Sequence, residues 1–256
     1  KNIEADAVEH ARMCVFTTPS AAHLYQQRYP GSASGMVVLE NGYDEESFAL
    51  ATHLPHVAPG QVPLKRPLLL LHSGIVYPSE RDPTQLFEAL GRLKIEGTLV
   101  PGDLRIRFRA SVHDDLLESL AKVHGARDFI EVCPPIPYRE ALAEMMAVDA
   151  LLVMQASNCN AQIPAKIYEY LRAGKPILGL TDPEGDTAGV LKGAGLPDIV
   201  RLDNVDEIME KLTVFVIACN RGLAALPQAS STHQASRRAR SEVMAGLLER
   251  ATSQAP

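Results

Sequence analysis

Apolar positions along the chain fall into short runs that alternate with helical-period stripes. Ile3, Ala7 and Ala11 recur every fourth position and predict a helix over residues 2–12. Met13 to Thr17 is a short apolar run closed by Thr-Pro, which predicts a strand and a stop. Ser20 opens a predicted helix that continues to Tyr29. Gly35 to Leu39 reads as a second strand and runs into the turn signal Asn41-Gly42. Residues 51–66 carry three prolines, a glycine and two histidines without periodicity. They predict a linker, placed at 46–66.

From Arg66 onward the alternation becomes regular. Pro67 to His72 reads as a buried strand, and Asp82-Pro83 opens a helix whose apolar face is Leu86, Leu90 and Leu93. Strands are predicted at Leu104–Ala110, Phe129–Cys133, Ala150–Met154, Lys175–Leu180 and Ile199–Leu202. Between them lie helices at 113–124, Tyr138–Met146, Pro164–Ala173 (stopped by Gly174) and Asp186–Lys192. Two more helices, 205–222 and 236–252, follow, joined by a polar connector from Ala224 to Ser236. Strand–helix alternation with short connections predicts an α/β fold with a doubly wound parallel, Rossmann-like sheet.

Composition narrows the function. The 256 residues are 46% hydrophobic and 22% charged, with 25 Lys+Arg against 31 Asp+Glu. A net charge of −6 gives no basic surface for nucleic acid. No apolar run reaches the roughly 18 residues of a membrane span. The four cysteines form no C-x-x-C pair and read as reduced thiols, Cys133 and Cys159 as packing residues near strand ends. The basic cluster Arg237-Arg238-Arg240 reads as a solvated helix face. The chain begins without Met, and its first ten residues read as the middle of a helix. It is expected to be a piece of a longer protein.

Ligands of open parallel sheets sit beyond the C-terminal strand ends, so the residues there carry the chemistry. They are His72, Ser73, Gly74 and Arg81; Ser111 and His113; Pro134 to Tyr138; Gln155 to Lys166; and Thr181 to Thr187. The helix that begins near Pro164 offers backbone N–H groups to phosphate, and Lys166 adds a positive charge in its first turn. Taken alone, Lys166 reads as a surface lysine. No G-x-G-x-x-G, P-loop, H-E-x-x-H or G-x-S-x-G motif occurs. His72 and His113 show no ligand spacing and read as surface or rim histidines.

The segment from Ile163 to Leu178 resembles the donor-site motif of family-four-type retaining glycosyltransferases of the GT-B fold. There a helix bearing a glutamate precedes Gly-Lys-Pro and an apolar strand, here Glu169, Gly174-Lys175-Pro176 and Ile177-Leu178. Val38 to Asp44 with Phe48, His72-Ser73-Gly74 with Arg81-Asp82-Pro83, Met145 to Leu152, and Gly185 to Ala188 resemble other segments of that family, in its order. The resemblance implies the C-terminal, nucleotide-sugar-binding half of such an enzyme. Residues 1–45 would end the acceptor domain and connect it, 67–225 would bind the donor, and 226–256 would form a C-terminal helix.

By the same resemblance, Glu169 would accept hydrogen bonds from the ribose diol. Lys166 and Arg81 would neutralise the diphosphate as it gains charge. Gly74 would let backbone approach the phosphate or sugar. The rim at Ile136 would hold the base through backbone groups. Asn160, with Asn158 and Gln162, would face the donor sugar. No catalytic residue and no metal site is expected in this chain, and no cofactor beyond the nucleoside diphosphate sugar. The acceptor, a sugar or glycolipid, would be bound by the preceding domain. The setting implied is cytoplasmic, with peripheral membrane contact at most and no nucleic-acid partner. The sequence departs from the family at Ala161, eight positions before Glu169, where a second glutamate is usual. That departure keeps two alternatives open: a non-catalytic nucleotide-sugar or glycan-binding module of the same fold, and a sugar-nucleotide epimerase. A signalling receiver is disfavoured because the rim is poor in Asp.

Overall fold

A computed structural model describes residues 2–53 and 66–253. Its centre is a six-stranded, wholly parallel sheet. The strands are β3 (Leu68–Ser73), β4 (Leu104–Arg109), β5 (Ile130–Cys133), β6 (Ala150–Gln155), β7 (Ile177–Thr181) and β8 (Ile199–Val200). Their spatial order is β5-β4-β3-β6-β7-β8. The chain runs outward from β3 to one edge, then returns and runs outward from β6 to the other. The reversal lies between β3 and β6, which pair at Leu70↔Ala150 and Leu71↔Leu151. Crevices at such reversals are where doubly wound sheets bind ligands.

Helices cover both faces. One face carries α4 (Thr84–Ile95), α5 (Asp114–Val123) and α9 (Val205–Asn220), burying Leu68, Leu70, Leu104, Ile106, Phe108, Leu152 and Met154. The other carries α3 (Glu45–Thr52), α6 (Tyr138–Ala147), α7 (Lys166–Ala173) and α8 (Asp186–Gly193) over Leu71, Leu151, Val153 and Ile177. Cover on both faces explains why β3 and β6 read as unbroken apolar runs. β4 alternates instead, because Arg107 and Arg109 meet Glu144 of α6 rather than an apolar helix face.

A smaller parallel pair precedes this sheet. β1 (Cys14–Phe16) pairs with β2 (Met36–Val38), joined through α2 (Pro19–Arg28), and α1 (Asn2–His10) comes before them. Ser20 donates to Asp186 from both its backbone N and its hydroxyl, at 2.9 Å each, which ties the pair to α8. At the far end, α10 (Ala229–Gln234) leads into α11 (Arg237–Ser253). The two connections between the units meet: Tyr43 N donates to Ala235 O, and Arg237 N to Tyr43 O.

Several expectations need correcting. The linker expected at 46–66 opens inside α3 (Glu45–Thr52); Asp44 caps this helix by accepting from Ser47, and Phe48 and Ala51 are fully buried. The remainder of that linker, 54–65, lies outside the described residues. The polar connector contains α10. α7 starts at Lys166 rather than Pro164, and Gly185, not Asp186, caps α8. Arg240 is no solvated face residue, since it pairs with Glu40 at 3.0 Å. Among the described residues, no helix is long and apolar enough to cross a membrane.

Candidate functional site

The C-terminal end of β3 opens onto the first turn of α7. Gly74 follows the strand with φ +113°, a conformation that side chains rarely adopt. A Cβ there would also stand 2.9 Å from the Lys166 Nζ and would displace the end of that side chain. The loops on either side of the reversal are stitched together. Ala156 N donates to Glu80 O at 2.7 Å, and Asn158 Nδ2 to Ser79 O at 2.8 Å.

Lys166 is aimed by a histidine. His72 is fully buried at the end of β3, not a rim residue, which corrects the sequence reading. Its Nδ1 lies 3.0 Å from the Leu152 carbonyl of β6. That oxygen can only accept, so Nδ1 carries the proton and Nε2 presents a lone pair. Lys166 Nζ sits 3.3 Å from Nε2 and donates to it. Burial, then the Lys166 charge, holds the His72 pKa well below its ordinary value, so the ring stays neutral. Burial and the nearby Arg81 charge lower the Lys166 pKa to about 7. Arg81 donates from Nη1 to Ile75 O at 3.2 Å and lies over the Tyr77 ring, while its buried Nε has no partner.

Glu169 stands one turn further along α7. Burial raises its pKa, while Tyr138, Arg237 and Lys166 act in the opposite direction. Its Oε1 accepts from the Tyr138 hydroxyl at 2.7 Å. The next residue, Tyr170, is fully buried, and its hydroxyl accepts from Ser73 N at 2.8 Å. This bond fixes α7 against the β3 terminus. Beside Glu169 runs the rim Pro134-Pro135-Ile136-Pro137, in which Ile136 supplies the one backbone N–H. Such a rim offers a single N–H beside carbonyls.

Of the residues singled out from sequence, Gly74, Arg81, Lys166 and Glu169 therefore come together, with Ile136 at the adjoining rim. Asn160 is engaged elsewhere: its Nδ2 donates to Asp182 Oδ2 at 2.6 Å, tying the loop after β6 to the loop after β7. Ala161 is exposed, and its carbonyl accepts from Thr18. Sequence reasoning did not find the roles of His72, Tyr138 and Tyr170. Each acts through a contact with a residue at least 31 positions away, which no local pattern encodes.

The loop after β4 adds strain at this rim. Ala110 (φ +56°) and Val112 (φ +68°) are the non-glycine residues with positive φ among those described. They flank the buried Ser111, whose carbonyl accepts from Val76 N at 3.0 Å. A β-branched residue in this region is strained, and such strain collects at functional sites. Among the described residues, no cluster of His, Cys, Asp and Glu suits a metal ion. Chemically, two cations and a glycine backbone, with one carboxylate a turn away along α7, suit a phosphate group attached to a diol.

No family model and no curated protein matches the sequence. Solved structures do match. A glycosyltransferase from Rickettsia africae superposes with a TM-score of 0.74 at 15% identity, covering 100% of this chain and 68% of that one. The pneumococcal O-GlcNAc transferase GtfA, solved with UDP and GlcNAc, gives 0.63 at 14% identity, covering 98% of this chain and 48% of that one. The chain has the fold of the GT-B glycosyltransferases. Anabaena HepE, solved with UDP-glucose, has a TM-score of 0.69 at 14% identity, covering 97% of this chain and 66% of that one. This chain thus spans between about half and two thirds of these GT-B proteins' lengths. The parallel six-stranded sheet expected from sequence is present, and so is its Rossmann-like strand order.

Proposed function

We propose that this chain is the donor-binding half of a glycosyltransferase that takes its sugar from a nucleoside diphosphate sugar. The observation that carries the reading is the meeting of Gly74, Lys166 and Glu169 at the sheet's reversal point. The GT-B fold supports it, since the similar structures are glycosyltransferases and two were solved with UDP or UDP-glucose.

In this reading Lys166, oriented by His72, and Arg81 face the diphosphate, which gains negative charge as the sugar leaves. Gly74 brings backbone close to the same oxygens. Glu169 accepts from the ribose hydroxyls, and its elevated pKa reflects a partly buried carboxylate lacking a full set of donors. The base lies along the 134–137 rim. The Ile136 N–H and a neighbouring carbonyl suit a base edge on which N–H and carbonyl stand side by side. Asn160 borders the donor sugar only through the loop after β6, which its hydrogen bond to Asp182 holds in place. Residues 1–45 close the acceptor domain, which supplies the catalytic group and the acceptor site in a longer protein, so this chain alone does not turn over. Transfer retains the anomeric configuration, no metal or organic cofactor takes part, and the protein works in the cytoplasm with peripheral membrane contact at most.

Calorimetric titration with UDP, GDP and ADP tests the reading. One nucleotide binds, and Glu169→Ala weakens it by more than about tenfold, or 1.4 kcal/mol. If none binds at millimolar concentration, the reading fails. Ala161 favours a second reading, a binding module without turnover, because it leaves the loop after β6 one carboxylate short. Donor hydrolysis by the full-length protein separates the two.

A further inference from the structure

The carboxylate assigned to the ribose is already held by another residue. Tyr138 is the first residue of α6 and directly follows the Pro134–Pro137 rim. Its hydroxyl donates to Glu169 Oε1 at 2.7 Å. The opposite end of the rim is tied as well. Arg109 Nη1 donates to the Pro134 carbonyl at 2.8 Å, while its Nε and Nη2 hold Glu144 of α6 at 2.9 and 2.7 Å. The rim is thus clamped at both ends, and its second clamp is Glu169. The tyrosine is 50% exposed, so packing does not explain its orientation. A phenol donates one hydrogen bond, and this one goes to a carboxylate rather than to water.

We propose that Tyr138 is a positioning residue for nucleotide binding: its hydroxyl fixes one oxygen of Glu169, aims the carboxylate at the ribose diol and couples that contact to the base rim. The inference rests on the donor-site reading above. A glutamate fixed before the ligand arrives loses less rotamer freedom on gripping a diol. The hydrogen bond also favours the ionised carboxylate against the burial that disfavours it. Two other charged groups face Glu169: Arg237 from α11, and Lys166 from the first turn of α7 itself. Both favour the same ionised form.

Tyr138→Phe removes the hydroxyl and keeps the ring. Titration of wild type and variant with UDP across the acidic and neutral range gives the first readout. The variant binds about tenfold more weakly at neutral pH, the size of one hydrogen bond to a charged group. Its affinity also begins to fall at a higher pH than that of the wild type. The second readout needs no nucleotide. Carbon NMR of the glutamate carboxyls, with Glu169 assigned by its loss in Glu169→Gln, shows that carboxyl titrating at higher pH in the variant. Weaker binding with neither the acid limb nor the carboxyl titration displaced makes Tyr138 a packing residue and overturns the inference. A wild type that binds beside an indistinguishable variant overturns this inference alone. A wild type that binds none of UDP, GDP and ADP overturns the donor-site reading and this inference with it.

Discussion

Two clusters of partly buried charge, one on the face of the sheet under α6 and one at the C-terminal strand ends beside α7, are built to opposite rules. In the first, Glu144 accepts from Arg107 Nη1 at 2.9 Å and from Arg109 at 2.9 and 2.7 Å, while Glu131 takes the other side of Arg107. Two cations meet two anions. Burial pushes the Glu144 pKa up, yet the arginines outweigh it and hold the carboxyl below its usual range. In the second, Lys166 lies between Arg81 and the carboxylate of Glu169, Arg237 approaches Glu169 from α11, and the histidine beside Lys166 is kept neutral. Here burial wins: the lysine falls to about 7 and the glutamate is raised. The first cluster is complete within the protein. The second is missing anionic charge near its cations and hydrogen-bond donors near its carboxylate. A diphosphate on a ribose supplies both, which is why perturbed groups of this kind mark binding sites.

The comparison can be broken by removing one partner from each cluster. The largest effect is expected in the closed one. Glu144→Ala strands two half-buried arginines and lowers stability by about 3 kcal/mol, read from urea denaturation. A loss no larger than that of an exposed salt bridge would mean that the first cluster is not closed.

Titration sharpens the contrast. An unfolded lysine keeps its proton up to its ordinary range, whereas folded Lys166 loses it at about 7. Between those values the unfolded chain binds more protons, so Lys166 makes stability rise as pH rises through that window. Glu169 does the reverse in the acidic range. Its folded pKa is raised, so its contribution to stability falls as pH rises from the ordinary carboxylate value through the folded one. A bound diphosphate favours the charged lysine. UDP binding above pH of about 7 should therefore take up a proton, and affinity should fall by up to about tenfold per pH unit. Calorimetry in two buffers of different ionisation enthalpy measures this uptake directly, and equal heats in both would contradict it.

The smallest effect concerns the loop after β4, which follows Arg109 of the closed cluster and borders the open one. Val112→Gly relieves its positive φ and should raise the urea midpoint, by about 1 kcal/mol of stability. No gain would mean that the left-handed conformation is unstrained there.

The sheet was legible because its strands are short apolar runs bounded by polar turns, and because Gly174 and the apolar faces of α4 and α5 mark their helices. α3 escaped notice because its eight residues bury only Phe48 and Ala51, too short a stripe to show a period. In the open cluster, Gly74, Lys166 and Glu169 were legible through the order of motifs around them. The partners that set their chemistry were not. His72 owes its tautomer to a carbonyl 80 residues away, and Tyr138 meets Glu169 across 31. Burial and pairing of that kind belong to the folded chain, not to local pattern.

The most direct measurement is urea denaturation of wild type and Lys166→Met with and without millimolar UDP. Removing a buried, under-compensated charge should leave the variant at least as stable as the wild type, whereas UDP should raise the midpoint of the wild type alone. If UDP raised both midpoints equally, or neither, the open cluster would not be a nucleoside diphosphate site.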